Sequence, residues 1–421
     1  MIRKQEMQPQ PVVAINIGSS GVRAIAADWD ERHKTFHILG SEFSNRHQSI
    51  EKGIPTNTSD VGFMISETLK KLANRVGRGE LKNIFVCVGG RSLQAVHVQA
   101  HRLQRRSEIK DKMLNEMLNE CKEKIELHSP AVGVVTVLPD KWIVDDTEFD
   151  DRPAGEYGKD ITLNATAFVM RKEYCQKMED SLTRTPAAVY KRIVIPDGDI
   201  TALTTEEDRE GGCAIINMGA QTTTLTIYRG EQFVMTKVVP LGGYHVSHDI
   251  ETLGISAENA ERIKRIHGTL NLKREDVDKG GAIPAAREGE EPIIVTFGNL
   301  SMIIASRIDE IMLPLLGEVH KEEIPIGKIY LTGGASMLKG IVPYLRKKTS
   351  IPVEYGTHAE WLAHDTDDEY YQPIYSSLIG TLLLGQVYLN EHPDEANKKR
   401  DKTIMGTLRD GLTILFGGED E

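Results

Sequence analysis

The chain has 421 residues, 40% hydrophobic and 27% charged, an ordinary globular balance and more length than one hydrophobic core usually serves. Its net charge of −11 argues against a nucleic-acid partner, because gripping a phosphate backbone takes clustered Lys and Arg. Cys87, Cys121, Cys175 and Cys213 lie far apart with no Cys-x-x-Cys pair, which speaks against a zinc site or disulfide framework and fits a reducing cytosol. Residues 1–10 lack the apolar centre of a signal peptide, and no apolar run approaches the roughly twenty residues that span a bilayer.

Residues 1–11 read as a loose tail. Residues 12–28 read as an apolar strand, the tight turn Gly18-Ser19-Ser20-Gly21, and a second strand. Glycines there tolerate positive φ and let a ligand approach the backbone, and successive N–H groups form a concave anion site. A third strand is expected at 34–43. A helix is expected at 59–76, where Val61, Ile65, Leu69, Leu72 and Val76 recur at helical spacing and Ser59 or Asp60 can cap the start. A short strand at 83–88 ends in Gly89-Gly90.

Residues 91–172 have a different texture. Alternating stretches at 95–98 and 132–137 bracket a charged helix at 111–127, in which Met113, Met117, Cys121 and Ile125 step by four. An acidic, turn-rich segment at 145–160 precedes a strand at 161–170. This reads as a small α+β module inserted into the first domain.

A helix at 171–185, an apolar stretch at 189–195, a helix start at 197–203 and a charged loop at 204–212 follow. Residues 214–228 then echo the opening: an apolar run, Asn217-Met218-Gly219, a small polar turn and a β-branched strand. Two such hairpins point to related halves facing one phosphate chain. A strand at 232–239, helices at 244–253 and 257–266, a charged Gly-rich excursion at 273–292 and a long helix at 297–316 come next. The strand at 328–332 runs into Gly333-Gly334 and a helix expected at 337–347. A backbone without side chains at a strand end lets a flat ring lie against it. An apolar helix at 376–389 and a polar linker at 390–402 lead to the tail.

In the tail, Ile404, Met405, Leu408, Leu412, Leu415 and Phe416 fall within an arc of roughly 120° at helical spacing, with Lys398, Lys399, Arg400 and Lys402 just before them. Ile414 falls off that face, and Glu419-Asp420-Glu421 oppose an anionic surface. Gly406 and Gly411 each cost about 1 kcal/mol of helicity, so the segment is expected to fold only when bound. Pattern alone leaves two partners open: a membrane surface, or the protein's own body or a neighbour.

Three other constellations carry less. His245 and His248 share a helical face without a third metal ligand. Ser19 and Ser20 lack a placed base and suit turn or phosphate contacts better than nucleophilic attack. Glu288, Glu290 and Glu291 read as a solvated loop.

The order of these motifs resembles the actin and sugar-kinase ATPase superfamily, and within it the FtsA family of bacterial cell-division proteins. The loops at Asn16-Ile17-Gly18 and Asn217-Met218-Gly219 are similar to the two phosphate loops, and Thr332-Gly333-Gly334 to the adenosine loop. The insert at about 85–169 sits where the family carries its inserted subdomain. Pro153-x-Gly155-x-x-Gly158, the 238–243 entry, Ala260-Glu261-Arg262-Ile263-Lys264 with His267-Gly268, and Tyr375 to Gly380 also match. The resemblance covers nearly all of 12–402.

It implies an α/β, actin-like two-lobed fold with an inserted α+β subdomain replacing the usual outer subdomain of the first lobe. The implied division is first-lobe core 1–84, insert 85–169, first-lobe core 170–206, second-lobe core 207–242, second-lobe outer subdomain 243–316, second-lobe core 317–372, closing helix 373–389, linker 390–402 and membrane-targeting tail 403–421. ATP with Mg²⁺ would lie in the cleft. Gly18, Ser19, Ser20 and Gly21 would hold one side of the phosphates, and Gly219, Ala220, Gln221 and Thr222 the other. Gly333, Gly334 and Ala335 would lie against the nucleoside, with Glu261 and Lys264 reaching ribose and base.

There is one departure. The family usually carries an acidic residue where this chain has Asn16, and Asp where it has Asn217; both normally organise Mg²⁺ and its waters. Two amides still offer oxygen but remove two negative charges, so nucleotide binding with slow or absent hydrolysis is expected, unless another carboxylate compensates. No catalytic residue and no protein-held metal are expected. The implied partners are the C-terminal tail of the tubulin-like FtsZ, held by the second lobe's outer subdomain, further copies of the chain in filaments, other division proteins and the inner membrane surface. The implied location is peripheral, on the cytoplasmic side of the membrane at the division site. An actin-fold small-molecule kinase and a pilus-assembly scaffold of the same fold are the alternatives.

Overall fold

The computed structural model describes residues 10–392 except 47, 186–188, 231, 273–276, 278–279, 282–294 and 322–325. Most of the expected excursion at 273–292, and the linker and tail from 393 onward, lie outside the described residues.

Two five-stranded sheets are built to one plan. In the first lobe, β1 (Val12–Gly18), β2 (Gly21–Asp30) and β3 (Thr35–Ser44) form an antiparallel meander. A small hairpin, β4 (Ile50–Glu51) and β5 (Ile54–Pro55), precedes α1 (Thr58–Arg75) and β6 (Asn83–Val88). Strand β6 pairs parallel with β1, Val13 opposite Ile84. The insert follows: β7 (Gln94–Glu108), α2 (Asp111–His128), β8 (Val132–Val144), β9 (Thr147–Phe149) and β10 (Tyr157–Arg171). Then α3 (Lys172–Thr183) and β11 (Val189–Val194) return to the first sheet, whose order is β11-β6-β1-β2-β3.

Helices α4 (Ile195–Leu203) and α5 (Glu206–Gly211) lead into the second lobe. There β12 (Cys213–Met218), β13 (Thr223–Arg229) and β14 (Gln232–Val239) repeat the meander. Helices α6 (Gly243–Glu251) and α7 (Ala257–His267), the pair β15 (Gly280–Gly281) and β16 (Val295–Thr296), and α8 (Phe297–Val319) form its outer part. The core is completed by β17 (Lys328–Thr332), α9 (Ile341–Leu345) and β18 (Val353–Tyr355), giving the order β14-β13-β12-β17-β18. Helix α10 (Ser376–Glu391) returns to the first lobe.

The matching orders express one sequence pattern used twice. Strands β1, β6, β12 and β17 are nearly continuous apolar runs, as strands covered on both faces must be. In the first lobe Val61, Ile65, Leu69 and Leu72 of α1 bury against the sheet, and Leu378, Ile379, Leu382 and Leu383 of α10 lie in the same core. In the second, Leu300, Ile304, Ile308, Ile311, Met312 and Leu315 of α8 form the buried stripe. The insert has its own small core, where Leu114, Met117 and Cys121 meet Ala100, Trp142, Ile161 and Leu163. Of the four-step stripe only Met117 and Cys121 are fully buried; Leu114 takes the place expected for Met113. Phe168 of the insert meets Phe233 of β14 edge to face, with ring centroids 4.9 Å apart.

Three local expectations change. Helix α1 is capped by Asn57, whose Oδ1 accepts from both Ser59 and Asp60 N–H at 3.1 Å, so those residues lie inside the helix. The charged stretch 204–212 holds α5, closed by Thr205 and Asp208 in a reciprocal capping box. The helix expected at 337–347 is a 3₁₀ turn, Gly334–Met337, followed by α9, because Gly340 at φ +80° interrupts it. Among the described residues no helix is long and apolar enough to cross a membrane.

Candidate functional site

The facing hairpin turns of the two sheets open on one cavity of about 1230 Å³ between the lobes. Each meander ends its first strand there because the turn residues are small. The β1–β2 turn pairs Gly18 with Gly21. Gly21 has φ +138°, and a Cβ on it would sit 2.4 Å from the Ser44 carbonyl oxygen, so glycine is required. In the β12–β13 turn the Gly219 N–H donates to Thr222 O at 2.8 Å. Gly243 and Tyr244 N–H, at the start of α6, donate back to Gly219 and Ala220 carbonyls at 2.9 and 2.7 Å, fixing this turn to the outer part of the lobe. At the end of β17, Gly333 has φ +87°, and a Cβ there would meet Asn217 Oδ1 and Met218 O at 2.5 Å.

All the residues singled out in the sequence for this site line the one cavity: Asn16, Gly18, Ser19, Ser20 and Gly21; Asn217, Gly219, Ala220, Gln221 and Thr222; Glu261 and Lys264; Gly333, Gly334 and Ala335. Their roles differ in detail. Lys264 donates to Gly243 O and Ser247 Oγ at 2.8 Å and to Glu261 Oε2 at 2.6 Å, which uses all three ammonium protons. Burial lowers the Lys264 pKa. Burial would raise the Glu261 carboxyl, but the Lys264 charge and the hydrogen bonds from Lys264 and Ser247 hold it below the usual carboxylate range. The two shifts pull oppositely on the ion pair, and the short donor contacts on one Glu261 oxygen favour the charged pair.

A small hairpin bridges the mouth. Gly53 N–H donates to Ser19 Oγ and Lys52 N–H to Gln221 Oε1, each at 2.8 Å. The loop between β4 and β5 therefore touches both turns, and the Gln221 side chain crosses from the second lobe to the first. Sequence reasoning missed this bridge, which needs two residues 169 apart to meet.

It also missed Arg23, whose guanidinium lies over the Phe43 and Tyr375 rings at 4.8 and 5.2 Å and donates to Tyr375 Oη at 3.2 Å. The third omission is Asp199 on α4. It is 2% exposed and stands behind Asn217. Asn217 Nδ2 donates to Asp199 Oδ2 at 2.6 Å and to Ser377 Oγ at 3.0 Å, and Ser377 Oγ donates to Asp199 Oδ1 at 2.6 Å. Burial pushes the Asp199 carboxyl up to about 7, against the lowering effect of its Ser377 and Asn217 donors. The sequence around it, Pro196-Asp197-Gly198-Asp199, reads only as acidic residues at a helix start. Asn16 stands in front of buried Cys87, whose thiol is pushed up to about 12 chiefly by burial. His245 plays a structural part, since its Nδ1 accepts the Gly242 N–H at 3.1 Å at the start of α6.

The cleft has the form of an anion cradle with a backbone slot beside it. Two small-residue turns and a glycine that no side chain could replace surround a space large enough for a nucleotide. The donor set nearest the turns is neutral at Asn16 and Asn217.

The family model described as "Cell division protein FtsA" matches residues 214–380, the second lobe through the start of α10. The cell division protein FtsA of Streptococcus pneumoniae is 24% identical over 366 residues, covering 83% of this chain and 77% of that protein. FtsA proteins of other bacteria align as well. Among solved structures, a PilM–PilN type IV pilus biogenesis complex superposes with a TM-score of 0.63 at 15% identity, covering 89% of this chain and 98% of that one. MreB5 of Spiroplasma citri bound to ADP superposes with a TM-score of 0.56 at 10% identity, covering 91% and 98%. These structural likenesses carry the actin-like fold, while the family model and the sequence relatives show a likeness to FtsA. The chain has an actin-like fold, matches the FtsA family model over residues 214–380, and is similar to FtsA cell-division proteins along most of its length.

Proposed function

We propose that the chain binds ATP in the interlobe cleft, self-assembles, and tethers FtsZ filaments to the inner membrane surface through its C-terminal tail. The observation that carries the nucleotide reading is the convergence of both hairpin turns and the Gly333-Gly334 strand end on one cavity. Gly18 to Gly21 and Gly219 to Thr222 would hold the phosphates, and Gly333, Gly334 and Ala335 the nucleoside. Lys264 is already committed to Gly243, Ser247 and Glu261, so Glu261, which is half-exposed, is the better placed of the pair for a ribose hydroxyl. Mg²⁺ would arrive with the nucleotide near Asn16 and Asn217, and these neutral amides support slow or absent hydrolysis. The nucleotide then serves as a cross-link between lobes that supports the assembled state.

The membrane reading rests on the apolar arc of Ile404, Met405, Leu408, Leu412, Leu415 and Phe416 behind four basic residues; each basic residue near an anionic surface adds about 1 kcal/mol. Removing 403–421 is expected to abolish co-sedimentation with anionic vesicles and leave capture of the FtsZ C-terminal peptide intact. Vesicle binding that survives the truncation contradicts the anchor. Failure of the full-length chain to retain the FtsZ peptide contradicts the tether and favours the pilus-scaffold alternative.

A further inference from the structure

We propose, resting on the nucleotide reading above, that Asp199 is a positioning residue of the cleft: it orients the Asn217 amide so that its oxygen faces the site, and its presence is why residue 217 is not an aspartate. Three elements meet at this point. Asn217 ends β12 of the second lobe, Asp199 lies on α4 and Ser377 opens α10. Both Nδ2 hydrogens of Asn217 are used, one on Asp199 Oδ2 and one on Ser377 Oγ. Its Oδ1 is thereby turned the other way, against Gly333, where a Cβ would approach it to 2.5 Å. Both Asn217 and Gly333 line the cavity, whereas Asp199 is sealed behind them.

An amide is the one side chain of this size that donates backward to a carboxylate and still accepts forward. An aspartate at 217 would set a second carboxylate oxygen where Nδ2 now lies, 2.6 Å from Asp199 Oδ2 and away from water. Two acceptors of like charge cannot both ionise there, so one would have to hold a proton. The carboxyl group missing at 217 thus stands one residue deeper, at Asp199, where it accepts from the amide and cannot itself reach a metal or phosphate. The neutral turn and the buried acid behind it are therefore one device.

Four variants of the full chain test this: Asp199→Ala, Asp199→Asn, Asn217→Asp and the exchange Asp199→Asn with Asn217→Asp. Each is read by melting temperature and by titration with a fluorescent ATP analogue in the presence of Mg²⁺. Asp199→Asn keeps an acceptor facing Nδ2 and should bind within about twofold of wild type, whereas Asp199→Ala frees the amide and should bind about tenfold more weakly. Asn217→Asp should lower the melting temperature. The exchange should recover most of that loss, since the amide would then stand on α4 and donate to the carboxylate on β12. Equal affinity of Asp199→Ala and Asp199→Asn, or an exchange no more stable than Asn217→Asp, overturns the assignment while wild-type binding leaves the cleft reading standing. Absence of binding by the wild-type chain overturns the cleft reading, and this assignment with it.

Discussion

Gly380→Ala is expected to destabilise the chain by about 3 kcal/mol or more. Helices α4 and α10 cross at Gly198 and Gly380 with no space between their backbones. A Cβ on Gly380 would lie 1.8 Å from the Gly198 carbonyl oxygen and 2.4 Å from its carbonyl carbon. The obstacle is main chain inside a buried crossing, so no rotamer change relieves it, and the helices must separate. Gly385, further along α10, provides the comparison. There an added Cβ meets the buried Phe85 ring at 2.7 Å, a side chain and not main chain, so Gly385→Ala should cost less. Urea unfolding of the two variants measures the difference. The same crossing carries Asp199 and Ser377 to Asn217, so any Gly380→Ala protein that folds should also bind nucleotide more weakly. An unchanged unfolding midpoint for Gly380→Ala would show that the crossing is not close-packed.

The second large effect is on the pH dependence of stability. Asp199 titrates near 7 in the folded protein because it is buried, against 3.8 for a solvated aspartate. Between these values the folded state holds a proton that the unfolded chain has released. Stability from this group is therefore full below about pH 4 and declines as the pH rises to about 7. A pKa difference of about 3 corresponds to roughly 4 kcal/mol as an upper bound. Asp199→Asn keeps an acceptor for the Asn217 amide, gives up the one for Ser377, and removes the titration. The wild-type chain, measured against Asp199→Asn at a series of pH values, should lose stability progressively between about pH 4 and 7, with the gap levelling above about pH 8. Parallel curves would mean that Asp199 is not buried as described.

The duplicated meander is legible in the sequence because its signal is local. Two runs of apolar residues ending in Asn-x-Gly, and a strand ending in Gly333-Gly334, show within a few residues where small side chains are needed, and all three converge on the cavity. The insert is equally visible, since its charged helix and alternating strands differ in period from their surroundings. What stays hidden depends on contacts across the chain. Gln221 meeting Lys52, Arg23 lying over Tyr375, and Asp199 lodged between Asn217 and Ser377 each need folded lobes to bring distant residues together. Local chemistry overrules simple pattern in two places. Asn57 takes the cap from Ser59 and Asp60 by reaching both amides, and Gly340, in the left-handed region, delays to Ile341 a helix that apolar spacing alone would start at Met337. Asp199 is the instructive omission, because a buried acid looks in sequence like any other acid near the start of a helix.

The central claim is that this cleft holds ATP and does not readily split it. Its most direct test is equilibrium binding of radiolabelled ATP with Mg²⁺ to the full chain, followed by separation of the bound nucleotide. The account predicts saturable binding at one nucleotide per chain, recovered as ATP after prolonged incubation. No saturable binding, or recovery as ADP with steady phosphate release at an ordinary enzyme rate, would contradict it.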